Sequence, residues 1–311
     1  MMRQIFAHDR GFAFRLALFL IMVLMAVTVT GCRKKTPKTS YQTAKEKDDY
    51  VQTHYQLGII AGQYGKLDRA IDEFQMVLVR DPEHALSYQG LGLALAKKGE
   101  INQAVAALEK SIALDPRNAQ SYQNLGVIMV RQNRFQPARE YLEKAVELES
   151  EDINSRYNLA QLYYKTGDTA KAVYHFRKLV EVDSGIPIFH SWLGWIYYEK
   201  GMVDQAVVEY EKAVALDKRR FSDFYQLGVI YQSRQEWDLS LAMYKEVLNI
   251  KETHIDSCIN MADIYRFEKR DSFRAREFYQ KALSIDVNNQ YCLKMLDEMG
   301  KSGSLSGEES L

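Results

Sequence analysis

The chain has 311 residues, with little proline, little cysteine and no surplus of either charge. Each shortage excludes something. Five prolines over the whole length allow long uninterrupted helices. Lysine and arginine total 41, as do aspartate and glutamate, so no basic excess exists to neutralise phosphates and nucleic acid is not an expected partner. The six histidines are scattered, with no HxxxH or other metal-type pairing, and no metal or cofactor is expected. A glycine-rich phosphate loop, a nucleophile elbow and a CxxC are all missing, so no catalytic residue can be named and an enzyme is not expected. Aromatic residues, at 12%, are ample, which predicts an ordered chain.

Long uncharged runs are scarce too, with one exception. Leu16 to Thr30 is free of charge and follows Arg3, Arg10 and Arg15. It is shorter than the roughly 20 residues a spanning helix needs and fits the apolar core of a signal peptide. Val29-Thr30-Gly31-Cys32 then resembles the bacterial lipobox, which implies cleavage before Cys32 and lipid attachment to that residue. The alternative is an uncleaved N-terminal anchor. Lipidation would hold the mature protein on the extracytoplasmic side of a membrane without spanning it. By the sorting rule of lipoproteins, Arg33 rather than aspartate after the cysteine implies the outer membrane, periplasmic face, in a Gram-negative cell. Residues 1–31 are therefore assigned to the signal peptide and 32–49, polar and lysine-rich, to a flexible tether.

The strongest pattern is a repeat. Leu57, Leu91, Leu125, Leu159, Leu193 and Leu227 are spaced by 34, and Met261 continues the series. A small residue always follows: Gly58, Gly92, Gly126, Ala160, Gly194, Gly228, Ala262. Ala70, Ala104, Ala138, Ala172, Ala206 and Ser240 keep the same spacing, and so do Phe74, Leu108, Leu142, Phe176, Tyr210 and Tyr244. This pattern resembles the tetratricopeptide repeat, W-x₂-L-G-x₂-Y, then A-x₃-F, then proline. The resemblance implies an all-α fold, a superhelical solenoid of antiparallel helix pairs A and B. Seven repeats are expected over 50–288, a capping helix over 289–300 and a disordered tail over 301–311. In repeat seven, Ala275, Tyr279 and Ala282 sit one residue late, which predicts an A–B turn around Lys269 to Ser272 longer by one. Cys258 and Cys292 are one repeat apart, about 10 Å in a stacked array, too far to bridge, so both are expected as buried thiols. His190 falls at a packing position. Glu143, Glu147 and Glu149 are expected on a solvated face.

With no catalytic set, function is expected in the surface. In tetratricopeptide proteins the A helices line a concave groove that takes a partner's extended peptide or helix. Carried over by repeat position, the groove would hold Tyr55 in repeat one, Gln89 in two, and Gln123 and Arg131 in three. It would continue with Tyr157, Gln161, Tyr164 and Lys165 in four, Ser191, Trp195, Tyr198 and Glu199 in five, Tyr225 in six, and Asp263 and Arg266 in seven. Amides at one helix-A position, among them Gln56, Asn124, Asn158, Gln226 and Asn260, imply a partial backbone-holding ladder, broken by Gly90 and Trp192. The aromatic stretch over repeats four to six has the residue types of binding hot spots. The whole plan is similar to that of pilotin lipoproteins, which help assemble secretin pores for type IV pili. The other expectations are an adaptor recruiting peptidoglycan or proteolytic enzymes, and a carbohydrate or small-ligand binder using the aromatic groove.

Overall fold

The computed structural model describes residues 40–305, with side chains described for 47–300. The leader over 1–31, the lipidation site Cys32, the tether up to residue 39 and the tail from 306 lie outside the described residues. Among the described residues every regular element is helical.

The chain divides into two units, one ending at Pro82 and the other starting at Glu83. The first holds α1 (Ser40–Gln63) packed against α2 (Leu67–Arg80). α1 takes in residues 40–49 of the expected tether. Pro37 is the last breaker before them, and the stretch from Ser40 to Val51 contains neither glycine nor proline.

In the second unit the A helices are α3 (Ala85–Lys98), α5 (Ala119–Arg131), α7 (Ile153–Lys165), α9 (Pro187–Glu199), α11 (Phe221–Ser233) and α13 (Ile255–Asp263). Their B partners are α4 (Ile101–Leu114), α6 (Phe135–Leu148), α8 (Thr169–Val182), α10 (Val203–Leu216), α12 (Trp237–Ile250) and α14 (Ser272–Ile285). Each A helix packs on its own B helix, and each B helix on the next A helix. All six A helices start in step with the 34-residue period. Four of these starts are capped by polar side chains. His84, Asn118, Asp152 and His254 accept from the backbone N–H of Ser87, Ser121, Ser155 and Ser257, satisfying a free donor of the first turn. α9 begins instead on Pro187, whose missing N–H costs nothing there.

The small residues act by close approach. A methyl on Gly126 would lie 2.5 Å from Leu142 Cγ, and one on Gly228 would lie 2.6 Å from the Tyr244 ring. The A–B pairs therefore seat a bulky B-helix side chain directly on A-helix backbone. That bulky series, Phe74 through Tyr244, is buried throughout, as is the small series Ala70 through Ser240. Adjacent repeats are tied again by a tyrosine in the last turn of helix A. Tyr163 donates to Glu143, Tyr231 donates to Glu211 at 2.9 Å, and Tyr197 accepts from Arg177 Nε at 2.9 Å. Glu143, expected to be merely solvated, is thus exposed yet engaged. His190 is buried, with Nδ1 2.6 Å from Glu209 and Nε2 3.2 Å from the Ser184 carbonyl. Cys258 and Cys292 are free and buried, and burial pushes the Cys292 thiol up to about 11.

Repeat seven corrects one expectation. In every complete repeat the residue two before helix B has positive φ: Gly65, Gly99, Asn133, Gly167, Gly201, Gln235 and Arg270. The turn before α14 is therefore no longer than the others. The additional residue is absorbed inside helix A, where Ile264–Glu268 form a π turn closed by Lys269 N–H on Ile264 O at 3.0 Å. Past it, α15 (Gln290–Leu305) buries Cys292, Met295 and Met299 against the last pair. Arg266 ties it down by donating to Glu298 at 2.8 Å. The capping helix runs to Leu305, so residues 301–305 of the expected tail are helical.

Candidate partner-binding face

The A-helix face of the second unit carries two neighbouring cavities. The first, about 450 Å³, lies among α5, α7 and α9. Val127, Val130, Leu162 and Trp192 make its walls, Asn158 and Gln161 offer amides, and Arg131 and Lys165 stand among its lining residues. Lys165 Nζ sits 4.8 Å over the Phe135 ring. The second cavity, about 420 Å³, lies among α7, α9, α10 and α11. Tyr164, Ile188, Trp192 and Trp195 supply its apolar surface, and Tyr210, Asp223, Arg220 and Gln226 its polar groups. Tyr164 and Trp192 belong to both.

The shared rings are held rigidly. Trp192 stacks on Phe176, with centroids 5.4 Å apart and planes within 10°. Its indole N–H donates to the Tyr157 hydroxyl at 3.0 Å, which also accepts from Gln161 at 3.1 Å. Tyr164 meets Trp192 edge-on at 5.3 Å. The Tyr164 hydroxyl accepts from Trp195 Nε1 at 2.5 Å and donates to Glu199 at 2.8 Å. Burial, and then the Glu199 contact, hold that phenol above its ordinary range, while the Trp195 hydrogen bond opposes them. Rings locked by hydrogen bonds and stacking lose little entropy when a ligand covers them.

The expected groove residues divide accordingly. Arg131, Asn158, Gln161, Tyr164 and Lys165 line the first cavity, and Tyr164, Ser191 and Trp195 the second. Tyr157 turns inward, its ring 6.0 Å from Phe176 and 5.9 Å from Phe189, and reaches the face only through its hydroxyl. Tyr225 packs on Tyr244 and His254, at 5.8 and 5.0 Å, and Tyr198 is half-buried; neither lines either of these two cavities. Gln123 is buried, and its amide oxygen accepts from the Gln120 side chain. Gln89 accepts from Asn118 at 2.9 Å. The ladder amides do separate work: Asn260 donates to Tyr244, whereas Asn124 Nδ2 has no partner. Tyr55 belongs to the first unit and packs on Phe74.

Three residues of the second cavity were not among the expected groove residues. Trp192, like Tyr164, lines both cavities. Tyr210 is 1% exposed, and its hydroxyl has no hydrogen-bond partner. Asp223 is 3% exposed and stands where other repeats have Ser87, Ser121, Ser155 and Ser257; its carboxylate accepts from Ser191 at 2.7 Å and from Arg220. That departure from serine was visible in the sequence. Among the described residues no group of His, Cys, Asp or Glu is placed to hold a metal, and no helix is long and apolar enough to cross a membrane.

A stack of helix pairs with recesses along its A-helix face defines a helical-repeat interaction scaffold. Family models described as TPR repeat or tetratricopeptide repeat match residues 92–133 and 194–234, 129–182, 224–253 and 255–289, together more than half of the chain. The chain belongs to the tetratricopeptide-repeat family. No curated protein matches it by sequence. Solved structures share its fold. The C-terminal part of a TPR repeat-containing protein from Cytophaga hutchinsonii superposes with TM-score 0.67 at 13% identity, covering 77% of this chain and 98% of that one. PilF of Pseudomonas aeruginosa gives 0.60 at 19%, covering 68% and 96%. YrrB, described as a TPR protein with an unusual peptide-binding site, gives 0.53 at 22%, covering 59% and 95%.

Proposed function

We propose that the chain is a lipid-anchored, extracytoplasmic scaffold that docks an extended segment or helix of another protein across α5, α7, α9 and α11. The observation that carries the docking is the pair of cavities sharing Trp192 and Tyr164. Contiguous recesses walled by rigid aromatic rings are the geometry of a hot spot. YrrB supports the reading at the level of fold, as a tetratricopeptide protein with a peptide-binding site. The anchor rests on Cys32 in its lipobox-like context. Assembly of an envelope pore or pilus, as in pilotins, is the specific role we favour; the PilF likeness supports it through fold alone.

The test is a pull-down from membranes with wild type and a Trp195→Ala/Lys165→Glu variant, which changes one residue in each cavity. The variant folds, as circular dichroism shows, and loses its partner by about thirtyfold or more. Retention of every partner at full strength would sink the docking reading. Separately, Cys32→Ser leaves an unprocessed, unacylated precursor; processing that continues unchanged would remove the anchor.

A further inference from the structure

We propose that the second cavity takes a cationic side chain, a lysine or arginine, of the docked segment. This rests on the docking reading and specifies its chemistry.

Three observations converge. The walls are the rings of Trp192, Trp195 and Tyr164, whose faces attract a cation and have no charge of their own to repel it. Two carboxylates lie at the site. Asp223 lines the cavity and Glu199 is held on the Tyr164 hydroxyl. The only cationic lining residue, Arg220, is already committed to Asp223, so with Glu199 the site carries a net negative charge. The Tyr210 hydroxyl is buried without a partner, and an ammonium or guanidinium group brings donors that would satisfy it. An aliphatic side chain would leave that hydroxyl orphaned, and a carboxylate would face Asp223 and Glu199.

The first cavity sharpens the proposal. Its cations Arg131 and Lys165 form no ion pair among the described residues. A basic side chain is disfavoured there and favoured one cavity further on. The two cavities therefore fix the register of the segment, with its basic residue between α9 and α11.

The chain contains three tryptophans, and Trp237, at the start of α12, lines neither cavity. Full-length protein in detergent, with ¹⁵N-labelled indoles, is titrated with N-acetyl-arginine methylamide, N-acetyl-leucine methylamide and N-acetyl-glutamate methylamide. The arginine probe moves the Trp192 and Trp195 indole signals, leaves Trp237 in place, and binds about fivefold or more tighter than the leucine probe. Asp223→Asn abolishes that preference, and Tyr210→Phe reduces it. Equal or tighter binding of the leucine or glutamate probe overturns the proposal, as does a preference that survives Asp223→Asn. If that variant does not fold, exposed Glu199→Gln serves instead, with the same two outcomes. Failure here leaves the pull-down result for Trp195→Ala/Lys165→Glu untouched, so docking and cation selection are judged apart.

Discussion

Tyr210, Tyr244 and Tyr279 occupy the same place in successive helix pairs, and all three rings are buried. Their hydroxyls differ. Tyr244 donates to Gln232 at 2.7 Å and accepts from Asn260 at 3.0 Å. Tyr279 donates to Asp263, which also accepts from Tyr291 in the capping helix at 2.9 Å. Tyr210 has nothing. The residues that would serve it, one repeat before Gln232 and Asn260, are Tyr198 and Gln226. The repeat needs a large ring beneath its small helix-A residue, but it does not need the hydroxyl, since Phe176 and Leu142 fill the same place. In the last two repeats the hydroxyl knits structure. In repeat five it is left buried and unpaired beside a cavity, a state that costs stability unless something else uses it.

The largest expected effect tests the aromatic half of this contrast. Trp192→Ala removes the ring stacked on Phe176 and the partition between both cavities. It should lower stability by about 3 kcal/mol, the low end for losing a packed indole because the ring is half-exposed. Urea unfolding measures it. A loss below about 1 kcal/mol would mean that Trp192 is held in place by its surroundings and contributes little to them.

The next effect is the tyrosine contrast itself. Tyr244→Phe strips a partner from both Gln232 and Asn260 and should cost about 1–2 kcal/mol. Tyr279→Phe, which takes one donor from Asp263, should fall in the same range. Tyr210→Phe deletes a hydroxyl with no partner to lose and should be neutral or stabilising by up to about 1 kcal/mol in the free protein. The three are compared by midpoint shift at constant slope. Equal losses in all three would erase the distinction between knitted and unpaired hydroxyls.

Much of the fold was legible because the repeat is written in residues whose size alone matters. A small residue at Gly126 or Gly228 and a bulky one at Leu142 or Tyr244 state where backbone meets side chain. The site was legible only in part, because a repeat frame fixes where Cβ points but not where a long side chain ends. Arg131, Asn158, Tyr164, Lys165 and Trp195 end in the cavities, whereas Tyr157 and Tyr225, which share one repeat position, fold back on Phe176 and Tyr244. Tyr210 was hidden for a different reason. Its orphaned hydroxyl depends on Tyr198 and Gln226 standing one repeat before Gln232 and Asn260, and only a comparison of those positions would have found it. The additional residue of repeat seven could be counted but not placed. A π turn and a longer loop add the same one residue, and the hydrogen bonds decide between them.

The smallest effect lies at the junction of helices A and B, where repeats four and five again diverge. In repeat five, His190 meets a carboxylate, Glu209. In repeat four, the equivalent pair is Arg156 and His175, with Arg156 Nη1 3.4 Å from the imidazole and Tyr163 stacked on it at 5.4 Å. Burial first, and then the Arg156 charge, lower the His175 pKa to about 4. Between that value and its ordinary 6.5, the unfolded chain binds a proton that the folded chain refuses. The contribution is therefore complete above about pH 7 and is lost as pH falls through 6.5 towards 4. Because His175 is partly exposed, solvent screening reduces it to about 1 kcal/mol, or roughly 2–4 °C in melting temperature. His175→Gln should remove that part of the acid loss between pH 7 and pH 4.5. An identical pH slope in wild type and variant would show that Arg156 and burial do not keep the imidazole neutral.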